Sequence, residues 1–132
     1  MARILFAATM SIAALFPALI PAPGHAATVQ VFMSNTRFCN TPVCVVNESI
    51  TVTRGDTVQW VYADPACTAL AALGCLHTVT RTTSPAFNSG AMPGPGGVGT
   101  TVTFSRTFTA AGTFGYLCSV HGSMMSASVR VL

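Results

Sequence analysis

The sequence predicts an all-β sandwich, on three observations. Apolar and polar residues alternate with period two in several short runs. Turn formers such as Arg54-Gly55-Asp56 and Ala110-Ala111-Gly112 separate those runs, and no long amphipathic helical pattern interrupts them. A chain of 132 residues is long enough for one domain with a real core and too short for two.

The elements follow in order. Residues 4–20 are almost wholly apolar, behind the basic start Met1-Ala2-Arg3, and residues 21–27 supply prolines, glycine and small residues. That layout predicts a signal peptide over residues 1–26, with cleavage after Ala26 or Ala27, and a mature domain over residues 27–132. The apolar run contains Pro17 and is short for a membrane span, and no later segment is apolar enough to cross a bilayer. Residues 28–33 read as the first strand. Residues 49–53 and 57–62 alternate cleanly about the Arg54-Gly55-Asp56 turn, with Val58, Trp60 and Tyr62 on one face. Residues 77–80 are a short strand candidate, residues 100–109 and 113–118 form two more, and residues 126–132 close the chain. Residues 66–73 are helix-permissive but edged by cysteines, which predicts a stapled loop. Residues 89–99, with five glycines and two prolines, predict a long connection that is either a surface turn or a wall of a site.

Export bears on the cysteines. Five are present, and in an oxidising compartment an odd number leaves one thiol over. Spacing pairs Cys39 with Cys44 and Cys67 with Cys75, leaving Cys118. Charged residues make up only 7% of the chain, every basic residue is arginine, and the formal net charge is +3. No basic stripe points to nucleic acid and no acidic cluster to calcium. So few charges imply that docking relies little on long-range steering.

The chemistry concentrates near the C-terminus. Tyr116-Leu117-Cys118-Ser119-Val120-His121-Gly122-Ser123-Met124-Met125 places a thiol, an imidazole and thioethers in one short stretch. His77 is the only other histidine the processed chain is expected to keep. A lone histidine is usually structural, a Cys-x-x-His pair is common by chance, and methionine is usually core filler. The conjunction is what points to a metal. Zinc prefers four strong ligands, whereas one thiolate, two imidazoles and a thioether suit copper in an electron-transfer role.

These residues also carry a resemblance. Ile50-x-Val52-x-x-Gly55-Asp56-x-Val58-x-Trp60, His77-Thr78-Val79, Phe87-Asn88-Ser89-Gly90 and Phe108-Thr109-x-x-Gly112-x-x-x-Tyr116-x-Cys118-x-x-His121 resemble the small blue copper proteins, the cupredoxins of the plastocyanin, amicyanin and pseudoazurin kind. The likeness runs from about residue 50 to the C-terminus. It implies a Greek-key β-sandwich (cupredoxin-like), one copper ion per chain, one-electron transfer and no enzymatic activity. It further implies His77, Cys118, His121 and a methionine as metal ligands, and transient redox protein partners; the leader predicts the periplasm or the outside of the cell, and a monomer is expected. Amicyanin-like spacing selects Met124 as the axial ligand. The strand register instead puts Met125 on the face of Val129 and Val131, and Met125 is the expected ligand.

The same resemblance gives Thr78 a bracing role. It places His121 near the surface in an apolar patch, with Met92, Pro93 and Pro95 as candidate borders. Asn47-Glu48-Ser49 is formally a glycosylation sequon. Two other function classes stand beside the electron carrier: a copper-binding carrier or chaperone, and a metal-free, disulfide-stapled β interaction domain.

Overall fold

The structure, a computed structural model, describes residues 24–64, 67, 75–94 and 101–132. Nine strands are present among them: β1 (Thr28–Ser34), β2 (Arg37–Cys39), β3 (Ile50–Val52), β4 (Thr57–Tyr62), β5 (Thr80–Arg81), β6 (Phe87–Asn88), β7 (Val102–Thr107), β8 (Gly112–Cys118) and β9 (Gly122–Val131). They form two mixed sheets, one ordered β2-β1-β4-β7 and the other β3-β9-β8-β5-β6. β1 runs parallel to β4, and β3 runs parallel to β9. The remaining pairs are antiparallel. The all-β sandwich expected from the period-two pattern is therefore the observed architecture.

The inner faces of both sheets share one core. Val58, Trp60 and Tyr62 are fully buried, as their common face of β4 predicts. Trp60 joins the sheets: its ring lies 5.6 Å from Phe104 of its own sheet, and 5.2 Å from Tyr116 and 6.0 Å from Phe87 of the other. Phe38 sits edge-on to Tyr116 at 4.8 Å. Aromatic contacts of this kind add to the area they bury and fix the spacing of the layers. Val61 also proves buried, although it lies on the opposite face of β4.

Several boundaries differ from the sequence expectation. The last strand begins at Gly122, not near residue 126, because β8 and β9 form a hairpin whose pairing reaches Cys118↔Gly122. The run expected as a strand over residues 77–80 is mostly a loop. Only Thr80–Arg81 is strand, while His77 makes an isolated bridge with Met92. β2 is three residues long and carries no alternation of its own; it exists because β1 turns back on itself at Asn35, whose φ is 52°. The expected leader (except residues 24–26), the expected stapled loop over residues 66–73 (except Cys67), and residues 95–100 lie outside the described residues.

Asp56 ties the strand ends together. Its Oδ2 accepts from the Thr53 N–H at 2.8 Å and the Thr53 hydroxyl at 2.7 Å, and its Oδ1 accepts from the Ala27 N–H at 2.8 Å. The bonds from Ala27 and then Thr53 hold its pKa below the ordinary carboxylate value. A carboxylate shifted this way stabilises the fold above the unfolded pKa, and that stabilisation disappears as pH falls through the folded pKa. Urea midpoints measured from pH 7 down to pH 2 should therefore fall on acidification, and Asp56→Asn should be less stable at pH 7 with a flatter acid limb.

Candidate metal centre

The hairpin positions the main donors. At the end of β8 the alternation that buries Phe114 and Tyr116 also buries Cys118 completely. A register shift falls between Leu117 and Cys118, and Ser119-Val120-His121 turn tightly, with the His121 N–H donating to the Cys118 carbonyl at 3.2 Å. Gly122, at φ 61°, takes the left-handed conformation that lets β9 start at once. These features bring His121 back over the sulfur, with its Nδ1 3.4 Å from Cys118 Sγ.

His77 comes from the other side. Its N–H donates to the Met92 carbonyl at 3.0 Å, and the Met92 N–H donates back at 2.8 Å, so two loops are clamped where the ring enters the core. The ring is fully buried, its Nδ1 is 3.8 Å from Cys118 Sγ, and its centroid is 4.9 Å from that of His121. The donor atoms of His77, Cys118 and His121 all lie within 4.8 Å of one another. Burial first, then the nearby His121, lowers the His77 pKa to about 4, against a smaller opposing pull from Asp64. The ring is neutral at physiological pH and keeps a lone pair for a metal.

The cysteines behave as spacing predicted. Cys39 bonds Cys44, Cys67 bonds Cys75, and Cys118 is free and buried. The Cys67–Cys75 bridge borders the site. The Tyr62 hydroxyl donates to the Cys75 carbonyl at 2.9 Å, and the Tyr62 ring lies edge-on to His77 at 4.7 Å. Gly94, two residues after Met92, packs on the same bridge so closely that an added Cβ would stand 2.7 Å from the Cys67 carbonyl oxygen.

The two methionines separate sharply. Met125 is fully buried in the core that also holds Cys118, whereas Met124 is 68% exposed. Their alternation along β9 is the one expected from Val129 and Val131. Met92 differs from expectation: it is 2% exposed, so it clamps His77 from within and does not border a surface patch. Pro93 is half-buried, and Pro95 lies outside the described residues. His121 itself is half-buried, and Val120 on its own loop and Met124 early in β9 are exposed.

Thr78 makes two kinds of contact. Its N–H donates to Cys118 Sγ at 3.3 Å, and its Oγ1 accepts from the Ser119 N–H at 2.8 Å. That oxygen also lies 2.8 Å from the Thr80 hydroxyl and 3.0 Å from the Ser119 hydroxyl. Ser119 and Thr80 gave no signal in the sequence, because a short polar residue beside a loop has many ordinary uses. Asn47, which the sequence offered only as a formal sequon, also has a structural role: its Oδ1 accepts from the Phe38 N–H at 3.0 Å and its Nδ2 donates to the Met124 carbonyl at 2.7 Å.

Comparison with known proteins bears on the fold. No family model matches the chain, and no curated protein matches it. Solved structures do. Amicyanin from Paracoccus versutus (Thiobacillus versutus) is 22% identical with a TM-score of 0.55, over 85% of this chain and 86% of that one. The Cu(I) form of an amicyanin variant is 26% identical with a TM-score of 0.52, over 89% and 90%. An oxidised amicyanin variant is 23% identical with a TM-score of 0.54, over 85% and 87%. The chain therefore has the cupredoxin fold of amicyanin.

Thr78→Val keeps the shape of the side chain and removes the oxygen that the Ser119 N–H uses. Thermal unfolding of this variant should show a loss of about 0.5–1.5 kcal/mol, the net worth of a hydrogen bond whose exposed donor water can reach.

Proposed function

We propose that the chain is a secreted or periplasmic type 1 copper protein that carries single electrons between redox partners and catalyses no reaction of its own. The observation that carries this reading is the convergence of two imidazole Nδ1 atoms on the buried sulfur of Cys118, which no disulfide occupies. A soft thiolate with two imidazoles is a donor set that fits copper, and a thioether would complete it. When bound, a copper ion supplies the one-electron Cu(I)/Cu(II) couple.

The residues divide the work. Cys118 would hold a copper ion through its thiolate and couple it electronically to the protein. His77 and His121 would supply imidazole ligands, and Met125 a weaker thioether ligand that would tune the potential. The Thr78 N–H draws charge from the sulfur and fixes its direction. Burial of His77, Cys118 and Met125 keeps water away. Because the donors hang from strand ends and clamped loops, they would move little when a bound ion changed oxidation state.

This burial also favours an electron carrier over a copper chaperone, since a carrier that hands its ion over needs ligands a partner can reach. His121, with exposed Val120 and Met124 beside it, is the place where a transient redox partner would dock. The two disulfides and the apolar leader fit an oxidising compartment. The low charge fits a monomer that meets partners through apolar contact.

Titration of the purified protein with Cu(II) should give one equivalent of intense visible absorption that reductant bleaches reversibly, and Cys118→Ala should abolish it. A protein that stays colourless would leave a stapled β domain without a metal, and rapid loss of copper to a chelator would favour the chaperone reading. Met125→Leu should shift the spectrum and the reduction potential, while Met124→Leu leaves both near the parent values. A large shift from Met124→Leu alone would reassign the axial ligand.

A further inference from the structure

We propose that the leader is removed by hydrolysis of the Ala26–Ala27 peptide bond, and that the α-ammonium group so released seats on the carboxylate of Asp56. The proposal rests on the reading of residues 1–26 as a signal peptide and not on copper. Water adds across the bond: the leader fragment leaves with Ala26 as its carboxylate, and the Ala27 nitrogen takes up a proton and becomes an ammonium at neutral pH.

Two independent observations choose this bond over the next one. The peptidases that remove such leaders require small residues one and three positions before the cut. Cutting after Ala26 places Ala26 and Gly24 there, whereas cutting after Ala27 places His25 three positions before the cut. The fold makes the same choice. Ala27 N lies 2.8 Å from Asp56 Oδ1, and the Thr57 N–H donates to the Ala27 carbonyl at 2.8 Å, so the main chain holds that nitrogen against the carboxylate. Asp56 is only 6% exposed. A cut after Ala27 would leave Oδ1 of this buried carboxylate without its donor, at a cost the fold would carry permanently.

A cut after Ala26 does the opposite. It converts a neutral amide donor into a charged one, and charge-assisted hydrogen bonds are roughly twice as strong as neutral ones. Residues 24–27 are exposed, so the bond is also accessible in the folded chain. Processing would then strengthen the link that joins the start of β1 to the β3–β4 turn, and the mature fold would be more stable than its precursor.

Intact-mass measurement on protein exported from the full-length gene should find Ala27 as the first residue. A first residue of Thr28 or His25 would overturn the proposal while leaving the leader reading in place, and an uncleaved chain would overturn both. The ammonium contact is tested by comparing protein that begins at Ala27 with protein that keeps Ala26, each with Asp56 and with Asp56→Asn. Retaining Ala26 should lower the Tm by roughly 4 °C, and this difference should vanish in Asp56→Asn. An equal difference in both backgrounds would contradict the seat. If Asp56→Asn does not fold, acetylating the α-amino group of the Ala27 form serves instead: an unchanged Tm would contradict the seat, and a lower one would support it.

Discussion

A sulfur atom withheld from every disulfide, and enclosed at the end of a hairpin, is the constraint around which this molecule is built. A buried thiol in an oxidising environment needs either complete seclusion or an occupant. Cys118 has two imidazoles and a backbone N–H directed at it, which is more than seclusion requires. The other four cysteines are paired within short spans, so none competes for it.

The geometry depends on loops, and each loop is restrained by something stiffer. The hairpin turn is held by the Thr78 hydroxyl on one side and by Asn47 on the other. His77 is clamped to Met92, which leads into Gly94 and the Cys67–Cys75 bridge. Behind all of these stands the Trp60 cluster, which sets the separation of the two sheets. Restraint of this kind would suit the proposed electron transfer, because donors held this way would offer both oxidation states of a bound ion a similar cage.

Much of this was legible in the sequence, for identifiable physical reasons. Period two in residues 57–62 gave β4 to the residue, because a half-buried strand has to alternate. The same alternation put Met125 in the core and Met124 at the surface. Local cysteine spacing gave both disulfides. The parts that were not legible depend on partners distant in the chain. β2 and the bridge at His77 are short and have no periodicity, so only their neighbours make them strand-like. The start of β9 at Gly122 depends on a left-handed glycine that resembles any loop glycine until its φ is known. The contacts of Asn47 with Phe38 and with Met124, 77 residues away, were equally unreadable from its local sequence.

X-ray absorption at the copper edge, on protein loaded with one equivalent and recorded in both oxidation states, tests the central idea most directly. One short sulfur neighbour and two nitrogen neighbours, with little change between Cu(II) and Cu(I), is the result expected if Cys118, His77 and His121 share the ion. A first shell of nitrogen and oxygen alone would show that the sulfur is not a ligand, and the electron-carrier account would fall with it.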